Sequence, residues 1–480
     1  MPSRFPWLTS WANDPGPART RPARGSEGRA AGARAPTVSR VITRKTAPDL
    51  LAAALAVLLF AAAAVVGAAI NDDGVLVLKW PPLFARWEPH VGPGTPAALL
   101  VAGLVLLYGP PLARRLPWRW LPPAAWCASM AWIWSLALVD GWRRGVARRL
   151  AYGHEYLTAL DDIDGIGPFL RTFTDHIPMD SQDNWPAHVA GHPPAATLTF
   201  VLLDRVGLAG GAWAAAFCVT TAASAAAAVL IAVRALAGER LARRAAPFVV
   251  LAPSAVWLGV SADGWFTAVA AWALALLALA ATGAVRAPRA AALGAGVLAG
   301  CLLYLSYGLV LMALVAAAVL WLARTARPLP WLVLGVVPWV AGFTAAGFWW
   351  FDGYETLVGR YYEGAGGQRP YGYFVWANPA VQVASVGLAT VAGLRRAGTR
   401  PVRRDARRRA LAVLVASALA AMLLANLSGM SKAETERIWL PFALWLLPAA
   451  ALLPARHTRW WLAAQAVLAL AVNHLWLTRW

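Results

Sequence analysis

The chain has 480 residues, of which 59% are hydrophobic and 14% are charged, and its mean hydropathy is +0.54. Soluble domains carry about 25% charged residues, so this composition excludes a soluble enzyme. The formal net charge of +20 does not indicate nucleic acid as a partner, because most of the basic excess lies in short segments between apolar runs. Apolar runs of about 20 residues favour membrane-spanning helices over a β-barrel.

The chain begins with a polar segment and continues as one apolar domain. Residues 1–49 are rich in Pro, Gly, Ala and Arg, so we expect a disordered, basic, cytoplasmic tail. Residues 50–480 are expected to form a transmembrane domain of an all-α polytopic membrane protein. About thirteen spans are predicted, at 50–70, 95–113, 120–140, 209–233, 245–261, 264–283, 290–306, 307–323, 329–350, 374–394, 409–427, 437–454 and 460–478.

The charges between these spans predict an orientation. With the N-terminus in the cytoplasm, the cytoplasmic segments contain 30 of the 43 Lys and Arg residues and only 5 of the 23 Asp and Glu residues. Cytoplasmic loops of membrane proteins show such an excess of Lys and Arg. An odd number of spans then places the N-terminus inside and the C-terminus outside the cell.

Residues 141–208 are too long and too polar for a simple connector, and we expect an extracytoplasmic loop. The stretch from His192 to Arg205 contains an apolar run too short to span a membrane. Pro193 and Pro194 suit the first turn of a helix. The run therefore predicts a half-helix at the outer interface, and the loop is expected to carry elements of this interfacial kind.

Acidic residues and histidines are concentrated in the predicted outer loops, as acid–base chemistry on the outer face requires. Asp140 ends an apolar run at the outer membrane boundary, where partial desolvation favours a general base; alternatively, Asp140 and Gly141 end the helix in water. Asp72 and Asp73 in the preceding loop compete for this role. Glu155 is a further candidate base.

Other outer residues suggest binding roles. Tyr156 beside Glu155 could contact a sugar or lie on the surface, and His188 and His192 could contact phosphate or sugar. Asp161 and Asp162 could bind a divalent cation, although their run lacks the spacing of a calcium loop and suits a solvated surface equally well. No Cys/His or HExxH pattern indicates a zinc site, and a divalent cation is the one cofactor that the sequence leaves open.

The outer segment before residue 438 carries four charges at the membrane edge. Arg437 is suited to holding a phosphate bidentately, and Lys432, Glu434 and Glu436 lie close to it in sequence. These side chains could equally anchor the helix at the interface. We interpret Asp263, between two spans, as part of a tight turn.

Three stretches resemble a group of actinobacterial membrane glycosyltransferases within the GT-C superfamily, a group that includes a methylthioxylose transferase acting on lipoarabinomannan. They are Ala137-Leu-Val-Asp-Gly141, His188-Val-Ala-Gly-His-Pro-Pro194 and Glu434-Thr-Glu-Arg-Ile-Trp-Leu-Pro441. The resemblance covers most of residues 120–455. It differs from the GT-C pattern because two helices, rather than one, precede the large outer loop.

The resemblance implies a multi-pass plasma-membrane enzyme with an extracytoplasmic active site. Its donor would be a polyprenyl-phosphate sugar, its acceptor a cell-envelope glycan or glycolipid, and its transfer inverting. Asp140 or Glu155 would deprotonate the acceptor, and Arg437, assisted by Lys432 or His192, would hold the donor phosphate. The remaining substrate contacts would fall to His188, Tyr156, Glu434 and Glu436. A transporter or flippase of lipid-linked sugars is the alternative, although such proteins place ionisable residues near the membrane centre.

Overall fold

The computed structural model describes residues 46–478, and 77% of it is helical. The predicted tail of residues 1–49 therefore lies outside the described residues, except for its last four, and the first helix already begins at Ala47. The chain is a multi-pass, all-α membrane protein, as its composition predicts.

Helices form nearly all of the regular structure. In chain order they are α1 (Ala47–Ile70), α2 (Thr95–Arg115), α3 (Leu121–Ala137), α4 (Ile166–Thr172), α5 (Ala187–Ala190), α6 (Ala195–Arg205), α7 (Gly211–Ala237), α8 (Glu239–Val250), α9 (Ala255–Leu258), α10 (Ala262–Thr282), α11 (Pro288–Leu305), α12 (Met312–Ala323), α13 (Leu329–Ala345), α14 (Trp350–Glu363), α15 (Ala365–Gln368), α16 (Tyr371–Val386), α17 (Leu388–Ala397), α18 (Arg400–Arg404), α19 (Ala406–Leu427), α20 (Thr435–Ile438), α21 (Leu440–Ala443) and α22 (Thr458–Leu475). Short 3-10 turns extend several of them, notably at Leu138–Asp140, Tyr156–Asp162 and Leu447–Leu452.

Seven helical segments within residues 46–478 are long and apolar enough to cross a membrane. They are α1, α2, α3 with its flanking 3-10 turns, α7, α10, α11 and α19. Two bent pairs raise the number to nine if each pair is one span: α13 with α14, bent by 72°, and α16 with α17, bent by 110°. The predicted number of thirteen is not confirmed, and the orientation stays a prediction.

Two of the predicted spans are broken helices. The region 245–261 consists of the end of α8 and the single turn α9, and 437–454 contains α20, α21 and a 3-10 turn. Pro253 in the first region and Pro441 and Pro448 in the second lack the N–H that a continuous helix needs. Both regions are buried in the protein, which is where a membrane protein tolerates irregular backbone.

The outer loop 141–208 contains the predicted half-helix. Its four-residue α5 ends at Ala190, and α6 begins at Ala195, directly after Pro193 and Pro194. The two prolines therefore separate His188 and His192 from the body of α6, as expected, and α6 is too short to span. The position of α6 at the membrane interface remains a prediction.

Between residues 46 and 478 the chain forms one small sheet. Strand β1 (Ala85–Trp87), in the loop after α1, pairs antiparallel with β2 (Trp476–Thr478), which follows α22. The last predicted span, 460–478, therefore ends as a strand. This pairing places the loop after α1 beside the end of α22.

Loops that the predicted orientation places on the same side of the membrane contact each other in the structure. At one end, Arg369 from the loop before α16 donates to the Leu76 carbonyl, in the loop after α1. At the other end, Asp49 in the first turn of α1 pairs with Arg396 near the end of α17. The alternation of loops along the chain is therefore consistent with the fold.

Candidate active site

A buried ion pair joins two segments that lie 174 residues apart. The Nη1 atom of Arg437, in α20, lies 2.5 Å from Oδ2 of Asp263, and the two side chains are only 4% and 5% exposed. Asp263 lies in the first turn of α10, which begins after Ser261, whose hydroxyl accepts from the Gly264 N–H. The interpretation of Asp263 as part of a tight turn is therefore wrong. A buried guanidinium requires such a partner.

Glu155 and His188 extend this ion pair. Nδ1 of His188 lies 3.1 Å from Oε1 of Glu155, and Nε2 lies 3.4 Å from Nη2 of Arg437. Because a guanidinium only donates, Nε2 accepts and Nδ1 carries the proton that faces Glu155. Burial raises the pKa of Glu155, but His188 and Arg437 outweigh burial and leave this pKa below its ordinary value. Glu155 is therefore an ionised acceptor at neutral pH.

Tyr156 and His192 line the same cluster. The Tyr156 hydroxyl lies 2.9 Å from Nδ1 of His192, and that nitrogen donates over 2.8 Å to the His188 carbonyl. Burial lowers the pKa of His192 to about 4, although the nearby Asp263 carboxylate favours its protonation. His192 is therefore neutral at pH 7. Its one ring proton is on Nδ1 and is donated to the His188 carbonyl, so the other ring nitrogen of neutral His192 can only accept a hydrogen bond.

Glu434 lies between two buried guanidinium groups. Its Oε1 is 3.3 Å from Nη2 of Arg369, and its Oε2 is 3.5 Å from Nη2 of Arg437. Arg369 is fixed by the carbonyls of Leu76 and Lys432, to which it also donates. The carboxylate is 19% exposed, whereas the two arginines are 7% and 4% exposed. One anionic group thus occupies a position between two fixed cations.

The backbone that carries Glu434 is strained. Ala433 and Glu434 have φ values of +69° and +60°, a region that residues other than glycine rarely occupy. Strain of this kind is retained where the surrounding structure imposes it, often at functional sites. Lys432, just before, is buried and donates from Nζ to the Gly366 carbonyl over 2.8 Å. Its ammonium group is therefore held by backbone next to the Glu434 loop.

Glu436 takes a different position from its neighbours. Its Oε1 accepts from the Phe84 N–H over 2.9 Å, and its Oε2 has no hydrogen-bond partner among residues 46–478. The residue is 1% exposed. Burial raises the pKa of Glu436 to about 7, so the side chain is largely protonated below that pH. It contacts the loop after α1 rather than the guanidinium groups.

Glu436→Gln is expected to change the pH dependence of stability. The folded protein binds the Glu436 proton more tightly than the unfolded chain, so the free energy of unfolding of the wild type falls as pH rises from about 4.5 to about 7. The variant avoids this loss. It should be more stable than the wild type by up to about 3 kcal/mol at pH 8, since a tenfold change in proton affinity corresponds to about 1.4 kcal/mol. Thermal unfolding in detergent between pH 4.5 and 8 measures the difference.

The matched control for this prediction is Glu355→Gln, because Glu355 is an exposed carboxylate in α14. That variant should follow the wild-type pH profile. Parallel profiles for Glu436→Gln and the wild type would contradict the assigned environment of Glu436.

Asp140 lies in a second group of charges. Oδ2 of Asp140 is 2.5 Å from Nη2 of Arg149, and Oδ1 is 2.8 Å from Nε2 of His90 and 3.5 Å from Arg144. The loop carrying His90 approaches α3 closely at Gly92, where a Cβ would lie 1.9 Å from the Val139 carbonyl oxygen. Both carboxylate oxygens of Asp140 thus have partners, and the side chain is only 10% exposed. The alternative of a helix end in water is therefore wrong.

The Asp140 group adjoins the Arg437 group without including it. Burial lowers the pKa of Arg149, whereas the carboxylates of Asp140 and Glu155 both act to raise it. Arg149 therefore lies near both carboxylates. Asp72 and Asp73, the competing candidates, lie exposed after the end of α1 and form no ion pair within the described chain. Of the candidate bases, Glu155 lies nearest to the phosphate candidate Arg437, through His188.

The candidate metal ligands Asp161 and Asp162 are exposed at the end of the Tyr156–Asp162 turn. Between residues 46 and 478, no group of three or more His, Cys, Asp or Glu side chains is arranged to hold a metal ion. The two aspartates are therefore solvated residues of the outer loop in this structure.

The described part of the chain contains an apolar groove of about 330 Å³. It runs between α4, α6 and α13, and α6 begins three residues after His192. The groove is lined by Ile166, Leu170, Leu198, Pro338, Trp339, Gly342 and Phe343. Its walls carry almost no polar surface, so it suits a hydrocarbon chain.

Two buried charges of the site were missed by sequence reasoning. Asp263 could have been found, because a carboxylate in a short gap between two apolar segments has little access to water and therefore needs a partner. Arg369 was not singled out in the sequence. Its contact with Glu434 joins residues 65 positions apart, and no local pattern indicates it.

No family model matches the chain, and no curated protein sequence matches it. Two solved structures of the Archaeoglobus fulgidus oligosaccharyltransferase are similar to it. The complex with Zn and sulfate has a TM-score of 0.42 and 16% identity, over 73% of this chain and 53% of that chain. The structure tethered to an acceptor peptide containing the NVT sequon has a TM-score of 0.41 and 12% identity, over 75% and 54%. The chain thus spans about half the length of these proteins, and similarity at such low TM-scores carries no argument about activity.

Proposed function

We propose that the protein is a GT-C-type glycosyltransferase that moves a sugar from a polyprenyl-phosphate donor to a cell-envelope glycan or glycolipid at the outer face of the plasma membrane. The observation that carries this proposal is the position of Glu434 between Arg369 and Arg437. A phosphodiester has the same charge as this carboxylate and accepts the same fork-shaped hydrogen bonds.

The donor phosphate would replace Glu434. Both contacts of its carboxylate are long, at 3.3 and 3.5 Å, and its backbone is strained, so releasing it costs little. Asp263, in contrast, holds Arg437 at 2.5 Å and would keep the guanidinium in place. Lys432 would assist the two arginines, and His192 would do so only with both ring nitrogens protonated. The polyprenyl chain would follow the apolar groove beside α6.

Glu155 is the base that this arrangement favours, with Asp140 as the alternative. Glu155 would take the proton of the acceptor hydroxyl as the acceptor oxygen bonds to the anomeric carbon. The bond between that carbon and the phosphate oxygen breaks at the same time, and the polyprenyl phosphate leaves with both electrons. Arg369 and Arg437 stabilise the charge that develops on the phosphate. A single displacement of this kind inverts the anomeric centre.

His188, Tyr156 and Glu436 complete the proposed site. His188 would orient Glu155, since its Nδ1–H donates to the Glu155 carboxylate. Tyr156 would contact the sugar, with its hydroxyl fixed by His192. Glu436 would act indirectly, by holding the loop after α1 through the Phe84 N–H.

The structure gives the transporter alternative no specific support. In the seven helical segments long enough to span, every Asp, Glu, Lys and Arg lies in the first or last turn. Proton- or ion-coupled transporters place such residues near the middle of the membrane. The charges of this protein instead gather at the ends of the helices.

Binding of decaprenyl phosphate tests the phosphate site. Glu434→Gln should bind this lipid several-fold more tightly than the wild type, because the phosphate no longer competes with a carboxylate for Arg369 and Arg437. Arg369→Gln should bind it at least tenfold more weakly, since a charge-assisted hydrogen bond contributes about 1.5–3 kcal/mol. Equilibrium binding of the radiolabelled lipid to purified protein in detergent measures both effects.

The control is Arg205→Gln, which removes an exposed arginine at the end of α6. Its affinity for decaprenyl phosphate should equal that of the wild type. Unchanged binding in both the Glu434 and Arg369 variants would overturn the proposed phosphate site.

A further inference from the structure

The end of the protein opposite the candidate active site carries a guanidinium cluster, formed by Arg240, Arg244, Arg396 and Arg408. Arg240 and Arg244 lie one turn apart on α8, so both side chains occupy the same face. Arg396 lies near the end of α17 and Arg408 in the first turn of α19. About 30 Å of helix α19 separates this cluster from the Glu434 loop.

Within residues 46–478, the carboxylates at this end of the protein pair with Arg396 of the cluster, pair with arginines outside it, or cap a helix. Asp49 pairs with Arg395 and Arg396, and Glu239 pairs with Arg234 and Arg243. Asp405 caps α19 by accepting from the Arg408 N–H and lies only 3.9 Å from its side chain. Within residues 46–478, Arg240 and Arg244 form no ion pair.

Arg244 is held in place although its surroundings are unfavourable for a cation. It is half-buried and donates to the Leu453 carbonyl. Burial lowers the pKa of Arg244, and so do the charges of Arg240, Arg408 and Arg396. Within the described part of the chain, no carboxylate raises this pKa in turn.

His457, four residues after Leu453, also lies among positive charges. Burial lowers its pKa, as do the charges of Arg456 and Arg396, and Asp49 offsets them only in part. Arg244 and His457 therefore both lie in an excess of positive charge. An anion in the cluster would relieve both.

The positive-inside rule explains arginines in exposed loops at this end. It does not account for a half-buried arginine that donates to a backbone carbonyl and forms no ion pair within residues 46–478. We propose that the guanidinium cluster binds the phosphate headgroup of an anionic phospholipid. The spanning helix α7 ends directly before α8, and the spanning helix α19 begins two residues before Arg408, so the cluster lies at the level expected for lipid headgroups, and basic pockets between membrane helices bind such lipids. This inference is independent of the proposed glycosyl transfer.

Thermal unfolding of the purified protein in detergent micelles tests the site. Dioleoylphosphatidylglycerol should raise the Tm of the wild type by about 3 °C at a hundredfold excess over its Kd, and dioleoylphosphatidylcholine should not. Arg240→Gln should lose at least half of this shift. Arg240 is exposed and makes no ion pair, so the variant should fold normally. Arg240→Lys, which keeps the charge, should retain most of the shift.

The control variant is Arg286→Gln, which removes one exposed arginine between α10 and α11. Its response to phosphatidylglycerol should match that of the wild type. An equal shift with inorganic phosphate would overturn the lipid assignment, since it indicates a soluble anion. An equal phosphatidylglycerol shift in the wild type and Arg240→Gln would overturn the site.

Discussion

Asp263→Asn should lower the free energy of unfolding by about 3 kcal/mol, because it leaves the Arg437 guanidinium buried without its nearest partner. Glu434 and Glu155 lie close enough to limit the loss but are not positioned to replace Asp263, which holds Arg437 at 2.5 Å. Chemical denaturation of the purified protein in detergent measures the change. The exposed Asp352, in the first turn of α14, provides the matched control: Asp352→Asn should leave stability unchanged.

A double variant identifies the cause of the loss. Arg437→Met in the Asp263→Asn background removes the unpaired charge and should restore part of the stability, since buried ion pairs can be replaced by apolar side chains of similar volume at little cost. If the two substitutions destabilise the protein additively, the side chains are not coupled. That outcome would contradict the ion pair.

Glu155→Gln should lower sugar transfer about a thousandfold, within the range that general-base catalysis contributes. The Gln amide oxygen can still accept from Nδ1 of His188, so the variant should fold. The donor KM should change little, because the phosphate is held by other residues. Steady-state transfer with varied donor concentration separates kcat from KM.

Asp140→Asn distinguishes the two candidate bases. Asp140 already contacts Arg149, His90 and Arg144, so its substitution should act mainly on the stability of this group, with a smaller loss of kcat than Glu155→Gln. The reverse order, with transfer abolished in Asp140→Asn and retained in Glu155→Gln, would assign the base to Asp140.

Helices with uninterrupted apolar sequence could be predicted from the sequence to within a few residues. Predicted spans 50–70, 95–113 and 409–427 correspond to α1, α2 and α19. The regions 245–261 and 437–454 could not, because their hydropathy is that of a span although their prolines prevent a continuous helix. High hydropathy indicates only that a segment is kept away from water. The protein interior does this as well as the membrane does.

The candidate site could be predicted in its components but not in its pairings. Glu155, Tyr156, His188, His192 and Arg437 were each singled out, and the structure brings them together. The pairing of Asp263 with Arg437 and the second guanidinium of Arg369 were not predicted, because these contacts join distant parts of the chain. Asp140 was singled out for its place at the end of α3, yet its contacts with Arg149 and His90 depend on how the outer loop folds back.

Transfer of radiolabelled sugar from decaprenyl-phosphate donors tests the central claim most directly. The panel should include mannosyl, pentosyl and methylthioxylosyl donors, with lipoarabinomannan among the acceptors. The account predicts that the wild type transfers sugar from at least one donor, with release of decaprenyl phosphate, and that Glu155→Gln does not. Folded wild-type protein that transfers sugar from none of these donors would contradict it.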